Sequence, residues 1–151
     1  MAVRTVVKSP NPLLQQKSSE IEVIDKSIKQ LVDDMFDTMR EKKGIGLAGV
    51  QIGVLKRIIV IEINEIGFKS ELINPKIISF SSKKTVMTEG CLSVPDGIYS
   101  VERPEEVEVE YFTANREKHR IKADGLLAKC LQHEIDHLDG ITIIDRGTLV
   151  E

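Results

Sequence analysis

The sequence predicts an α+β fold in which antiparallel β-strands wrap around one central helix and a long N-terminal helix packs outside. Three observations carry that expectation. Apolar residues recur at helical spacing from 25 to 43, strand-like runs occupy 57–63 and 106–111, and a second helical pattern near the C-terminus holds a His-Glu-x-x-His run. The 151 residues read as a single domain, 1–151, large enough to bury a core without disulfides. A net charge of −3 gives no electrostatic footprint for nucleic acid. The longest strongly apolar run, Ile58-Ile59-Val60-Ile61, is too short to cross a membrane, and Met1 to Lys8 lacks the apolar centre of a signal peptide. A cytoplasmic protein is expected, with Cys91 and Cys130 reduced rather than joined.

Residues 1–20 carry Pro10, Asn11 and Pro12 and little periodicity, and read as an extended arm laid over the surface. Asp25 is the expected N-cap of a helix reaching about Lys43. Its stripe is Ile28, Leu31, Val32, Met35, Phe36 and Met39, and Gly44 is the expected stop. Gly44 to Gly53 contains four glycines but follows a helix and fits neither phosphate-loop pattern, so the glycines are read as letting backbone approach a ligand or another strand. Gln51, in this apolar setting, must find partners for its amide. It is either a structural hydrogen-bonder, the commoner state, or an oriented donor at a site. Arg57 to Ile63 and Phe68 to Ile73 read as strands around a turn at 64–67, with Asn74-Pro75 breaking the chain before Lys76 to Phe80. Glu106, Glu108 and Glu110 alternate with Val107, Val109 and Tyr111, the mark of a strand with one wet face, and 119–123 is its expected hairpin partner.

Asp124 as N-cap, Leu126, Leu127, Leu131, Ile135 and Leu138 at helical spacing, and Gly140 as stop define the central helix. On it His133 and His137 share a face, so both rings can reach one metal ion while Glu134 sits beside it, ready to take a proton from an activated water. A catalytic site of this kind needs a third protein ligand. Downstream there is none: position 143, where a longer zinc-enzyme pattern needs histidine, is Ile143, and the only later glutamate is Glu151. Upstream, His119 lies in a charged, turn-like run. Cys91 is the better candidate, because Gly90 and Pro95 mark irregular backbone able to turn its thiolate inward. Glu89 and Arg103 are either a brace for the Cys91 loop or two independent surface charges. Asp136 either orients a ligand histidine or faces solvent, and the Ser93 hydroxyl is read as bonded to nearby backbone. The competing readings are a zinc peptidase, which lacks its downstream ligand, and a closed structural metal site with Cys130 as fourth ligand.

Gly44-Ile45-Gly46-Leu47-Ala48-Gly49-Val50-Gln51, Glu89-Gly90-Cys91-Leu92-Ser93 and Gln132-His133-Glu134-Ile135-Asp136-His137 resemble, in order and spacing, the three signature motifs of the peptide deformylase family. The likeness covers nearly the whole chain. That family removes the formyl group from the N-terminal formyl-methionine of new bacterial polypeptides, commonly with Fe²⁺ as native metal and with Ni²⁺, Co²⁺ or Zn²⁺ able to replace it. The resemblance implies Cys91, His133 and His137 as metal ligands and Glu134 as general base and then acid. It makes the Gln51 side-chain amide and the Leu92 backbone N–H the donors to the developing oxyanion, which reverses the structural reading of Gln51. N-formyl-methionyl peptides and nascent chains are the implied partners, lying as an added strand against Ile45, Gly46 and Gly90. Leu126, Lys129 and Cys130 share the helical face of His133 and are expected to line the methionine pocket. Lys129 stands where many relatives carry an apolar residue, its stem packing while the ammonium reaches outward. Gly49 replaces an alanine usual in the first motif, an expected loosening of the loop that carries Gln51. The long C-terminal helix that some relatives use at the ribosome does not follow the metal helix, which puts ribosome contact in doubt, and nothing in the sequence sets an oligomeric state.

Overall fold

The computed structural model describes residues 2–150; Met1 and Glu151 lie outside the described residues. In chain order the elements are α1 (Lys26–Glu41), β1 (Gly46–Ala48), β2 (Ile58–Ile63), β3 (Phe68–Phe80), β4 (Lys84–Cys91), β5 (Val94–Pro104), β6 (Glu106–Phe112), β7 (Lys118–Asp124), α2 (Gly125–Leu138), α3 (Ile143–Arg146) and β8 (Thr148–Leu149). Short 3₁₀ turns form at Pro12–Gln15, Gly49–Ile52 and Asn64–Ile66. One antiparallel sheet has the order β1-β2-β3-β6-β7, and a second has the order β4-β5-β8. The all-apolar run of β2 explains the layering. Ile59, Ile61 and Ile63 join the core shared with α2, whereas Ile58 and Val60 face the stripe of α1. Two helices therefore cover opposite faces of one sheet, and α2 is the inner one, as the α+β expectation required.

Helix α1 starts where the sequence places it, with the Asp25 carboxylate accepting the N–H groups of Ser27 at 3.0 Å and Ile28 at 3.3 Å. A cap of this type contributes about 0.5–2 kcal/mol. Its end differs from expectation. Lys43, not Gly44, takes the left-handed conformation (φ 59°), while the Lys43 and Gly44 N–H groups close on the carbonyls of Arg40 and Met39. Gly44 is small for another reason: a Cβ there would meet Leu92 Cδ1 at 2.9 Å. The expected break at Asn74-Pro75 is a bulge inside one continuous strand, β3, with a register shift between Ile73 and Lys76. Asn74 sits at φ 51° and its amide clamps the arm, accepting from Ile21 N–H at 2.8 Å and donating to Ile21 O at 2.9 Å.

Residues 84–104, read in part as irregular, form the long β4–β5 hairpin that delivers Cys91. Helix α2 follows Asp124 directly, but the Asp124 side chain makes no capping bond. Its C-terminus ends as expected at Gly140 (φ 76°), where a Cβ would run into the Gln15 carbonyl of the arm. No helix among the described residues is long and apolar enough to cross a membrane.

Candidate metal centre

Helix α2 brings His133 and His137 onto one buried face with ring centroids 5.1 Å apart. The β4–β5 turn brings Cys91 to them, its Sγ 3.3 Å from His137 Nε2. Ligand atoms of Cys91, His133 and His137 all lie within 4.8 Å of one another, the only such His/Cys/Asp/Glu group among the described residues. Both cysteines are free thiols. His119, by contrast, stays on the exposed face of β7, stacked on Tyr111 with ring centroids 5.7 Å apart.

Behind His133 runs a chain of charge. His133 Nδ1 lies 2.9 Å from Glu89 Oε1, and Glu89 takes Arg103 through two bonds of 2.7 and 2.9 Å. Arg103 Nη1 continues to Asp136 Oδ2 at 2.8 Å, and Arg146 grips the same carboxylate with two bonds of 2.9 Å. Glu89, Arg103 and Asp136 are all buried, so the pair left open by the sequence is a brace and Asp136 turns away from solvent. Burial pushes the Glu89 carboxyl upward, but bonds from His133 and Arg103 outweigh it and hold the group at about 2. Burial lowers His137, helped by the charge on His133, to about 3, which leaves its imidazole neutral. Burial also lowers His133, but Glu134, Cys91 and Glu89 together raise it to about 10. Glu134 is pushed up to about 7, chiefly by burial, with His133 opposing and Glu89 adding to the rise.

Cys91, His133, Glu134 and Glu89 face a cavity of about 360 Å³, also lined by Ile45, Gly46, Gln51, Gly90, Leu92, Lys129 and Cys130, whereas His137, Arg103, Asp136 and Arg146 lie behind it. Gln51 is buried and anchored: Oε1 accepts the Ala48 N–H at 2.9 Å, and Nε2 donates to Ser93 Oγ at 3.1 Å. Nε2 also lies 3.7 Å from Cys91 Sγ. The Ser93 hydroxyl therefore serves the Gln51 amide rather than nearby backbone, a correction that sequence proximity could not have supplied across 42 residues. The arm adds two main-chain ties, Val7 N–H to Gln51 O at 2.6 Å and Ser9 N–H to Ser93 O at 2.7 Å. Gly49 does not sit in a loose loop. A Cβ there would meet Val54 O at 3.0 Å and Ile58 Cγ2 at 3.1 Å, so a methyl would have to be accommodated. Lys129 lies at the cavity with its Nζ donating to Thr88 O at 3.3 Å, whereas Leu126 packs against the main core and is not among the cavity-lining residues. Arg146 went unnoticed in the sequence, because nothing in its spacing points back to Asp136.

The donor set suits a metal ion. One thiol and two imidazoles, one of them held neutral, are soft to borderline ligands that favour Fe²⁺ or Zn²⁺ over Mg²⁺ or Ca²⁺. Glu134 Oε1 is buried without a protein partner beside them, as a group that serves a water or substrate would be.

A family profile described as polypeptide deformylase matches residues 3–151. A peptide deformylase of Finegoldia magna is 50% identical over 146 residues, 97% of this chain and 90% of the relative. That of Rhizobium meliloti is 45% identical over 148 residues, 96% of this chain and 85% of the relative. The crystal structure of peptide deformylase from Ehrlichia chaffeensis in complex with actinonin superposes with a TM-score of 0.94 at 45% identity, covering 97% of this chain and 89% of that one.

Proposed function

We infer the function from a premise that is plain: the chain belongs to the polypeptide deformylase family, metal-dependent hydrolases that remove the formyl group from the N-terminal formyl-methionine of new polypeptides and release formate. We propose that in this chain Cys91, His133 and His137 hold the metal ion while Glu134, Gln51 and the Leu92 N–H act on the formyl group. The observation that carries this reading is the convergence of Cys91, His133, Glu134 and Gln51 on one cavity, with His137 buried directly behind Cys91 and His133. A divalent ion held by Cys91, His133 and His137 would supply Lewis-acid chemistry there, lowering the pKa of the attacking water toward roughly 7 and polarising the formyl group. Fe²⁺ is the native ion in this reading, with Zn²⁺, Ni²⁺ and Co²⁺ able to substitute.

The chain's own residues do the rest. Glu134, near neutrality at about 7, takes the proton of the attacking water and passes it to the methionine nitrogen as the C–N bond breaks. That delivery lets a poor leaving group depart as a neutral amine. Gln51 Nε2 carries two hydrogens, one held by Ser93 Oγ at 3.1 Å and the other directed at Cys91 Sγ at a long 3.7 Å; the oxyanion takes that second, weakly held hydrogen together with the Leu92 N–H. The formyl-methionyl peptide adds as a strand along Ile45, Gly46 and Gly90, with its first side chain near Cys130 and Lys129. We take residues 1–151 as one catalytic domain acting in a bacterial-type cytoplasm. The test is formate release from formyl-Met-Ala-Ser by protein purified anaerobically with Fe²⁺, beside Glu134→Ala and an unformylated, internally cleavable peptide. Formate that vanishes in the mutant, with no internal cleavage, is expected; formate release retained in Glu134→Ala overturns the residue assignment, and metal-loaded wild type that releases none marks a diverged, non-catalytic relative.

A further inference from the structure

We infer that the α3–β8 segment is a clamp that retains the metal ion, with Arg146 as its positioning residue. The inference rests on Cys91, His133 and His137 being the ligands. Those ligands come from two independent elements, the thiol from the β4–β5 hairpin and both imidazoles from α2. A site assembled this way keeps its geometry only as well as the hairpin and the helix are held together.

The segment after α2 ties both halves. On the hairpin side, Ile143 is buried in a small core with Val94 and Val101, and Cys91 packs against that core. Beyond it, β8 pairs with β5 at Tyr99↔Leu149 and Ser100↔Thr148. Between them, a Cβ on Gly147 would lie 2.6 Å from Ser100 O, so this stretch lies flush on the strand. On the helix side, Arg146 uses Nε and Nη2 to hold both oxygens of Asp136, each at 2.9 Å. Such a two-pronged pair fixes the carboxylate plane as well as its position. Asp136 Oδ2 in turn accepts Arg103, Arg103 holds both oxygens of Glu89, and Glu89 Oε1 meets His133 Nδ1. The orientation of the His133 ring is thereby linked through two carboxylates to a guanidinium whose side chain is 46% exposed.

A surface ion pair elsewhere on this chain would do nothing of the kind. Arg120, for example, meets Glu110 and Glu108 on the outer face of β6 and β7, and such pairs contribute little. Arg146 differs because the carboxylate it holds is buried and already shared with Arg103. Without Arg146, Asp136 keeps one guanidinium instead of two, and Arg103 loses the fixed point that aligns Glu89 behind His133. Removing a group bonded directly to a metal ligand weakens metal binding by about 10–100-fold; Arg146 acts further out, so a loss of roughly 3- to 10-fold is expected.

The test measures Zn²⁺ affinity by competition with a chromophoric chelator, and the rate at which the chelator strips the metal, on the full chain. The variants are Arg146→Ala, Arg146→Lys, Arg120→Ala as the surface-pair control and Cys91→Ser as the ligand control. A weaker, faster-exchanging site in Arg146→Ala, a smaller change in Arg146→Lys and wild-type behaviour in Arg120→Ala are expected. The effect of Arg146→Ala should also shrink when it is made on top of Asp136→Asn, since both act through one carboxylate. Arg146→Ala within twofold of wild type, or an undiminished effect in the Asp136→Asn background, overturns the inference. Should Arg146→Ala fail to fold, Arg146→Lys decides alone. Unchanged affinity in Cys91→Ser would instead overturn the ligand assignment, a separate outcome.

Discussion

Gly46→Ala is the substitution whose cost can be worked most directly from the structure. A Cβ built on Gly46 would lie 2.7 Å from Glu134 Oε2, 2.9 Å from Cys130 Sγ and 3.1 Å from Glu134 Cγ. Ordinary contact begins at 3.4 Å, so the Glu134 carboxylate has to retreat by about 0.7 Å, the gap between 2.7 and 3.4 Å. Cys130 cannot share that retreat easily, because it is buried in the main core. A misplacement of about 1 Å in a reacting group can cost on the order of 10²-fold, so a fall of about 10- to 100-fold in kcat is expected. The same overpacking should lower stability by about 1–3 kcal/mol, readable in a thermal melt. The three atoms nearest that methyl belong to Glu134 and Cys130, not to a metal ligand, so metal content should stay at the wild-type ratio. Formate release followed at several formyl-Met-Ala-Ser concentrations separates kcat from KM. A kcat within threefold of wild type, in protein that holds its metal, would refute the idea that the position of Glu134 limits turnover.

Gln51→Ala should lose about 10²–10³ in turnover with its metal retained. Ser93→Ala should lose only about 2- to 10-fold, the rate equivalent of one neutral hydrogen bond of about 0.5–1.5 kcal/mol; a Ser93→Ala effect that persists in the Gln51→Ala background would show that the hydroxyl does not act through that amide. Lys129→Ile should change the kinetic preference between formyl-Met and formyl-norleucine peptides, and identical kinetics would remove Lys129 from the pocket. Asp34 concerns stability alone. Burial pushes its carboxyl up, but bonds from Arg4, Gln30 and the Ala2 N–H outweigh this and hold it below its ordinary 3.8. Because the folded value is the lower one, the stabilisation is present above pH 3.8 and disappears as pH falls through the folded value. Asp34→Asn should therefore melt below wild type at neutral pH, the gap closing in acid; a gap constant across that window would contradict it.

What the sequence made legible was whatever a local repeat encodes. The stripe from Ile28 to Met39 and the spacing of Leu131, Ile135 and Leu138 gave both long helices, since a packed helix must present apolar side chains at that period. The β4–β5 hairpin escaped because its residues do not repeat cleanly. β4 alternates exposed with half-buried positions and carries Lys84, Thr85, Thr88 and Glu89, so no apolar period marks it as a strand. The Asn74-Pro75 break was a reasonable inference from proline chemistry, but a bulge lets proline stay in a sheet by leaving one residue unpaired. Lys43 took the left-handed turn ahead of Gly44, and Gly44 answers to a different demand, since Leu92, distant in sequence, fills the space where its side chain would go.

The site divides along the same line. His133, Glu134 and His137 are legible because one helix face places them, and Cys91 follows once a third soft ligand is required. What holds these groups is not local. Gln51 is oriented by Ser93 and by an arm that reaches back from residues 7 and 9, and Glu89 is aligned by Arg103, Asp136 and Arg146 from three separate elements. Each of those contacts serves at least one polar group that burial would otherwise penalise, so its partner is required by that desolvation rather than by any repeat in the chain. A motif search therefore finds the atoms that react, while the groups that keep them in place appear only when burial makes their pairing obligatory.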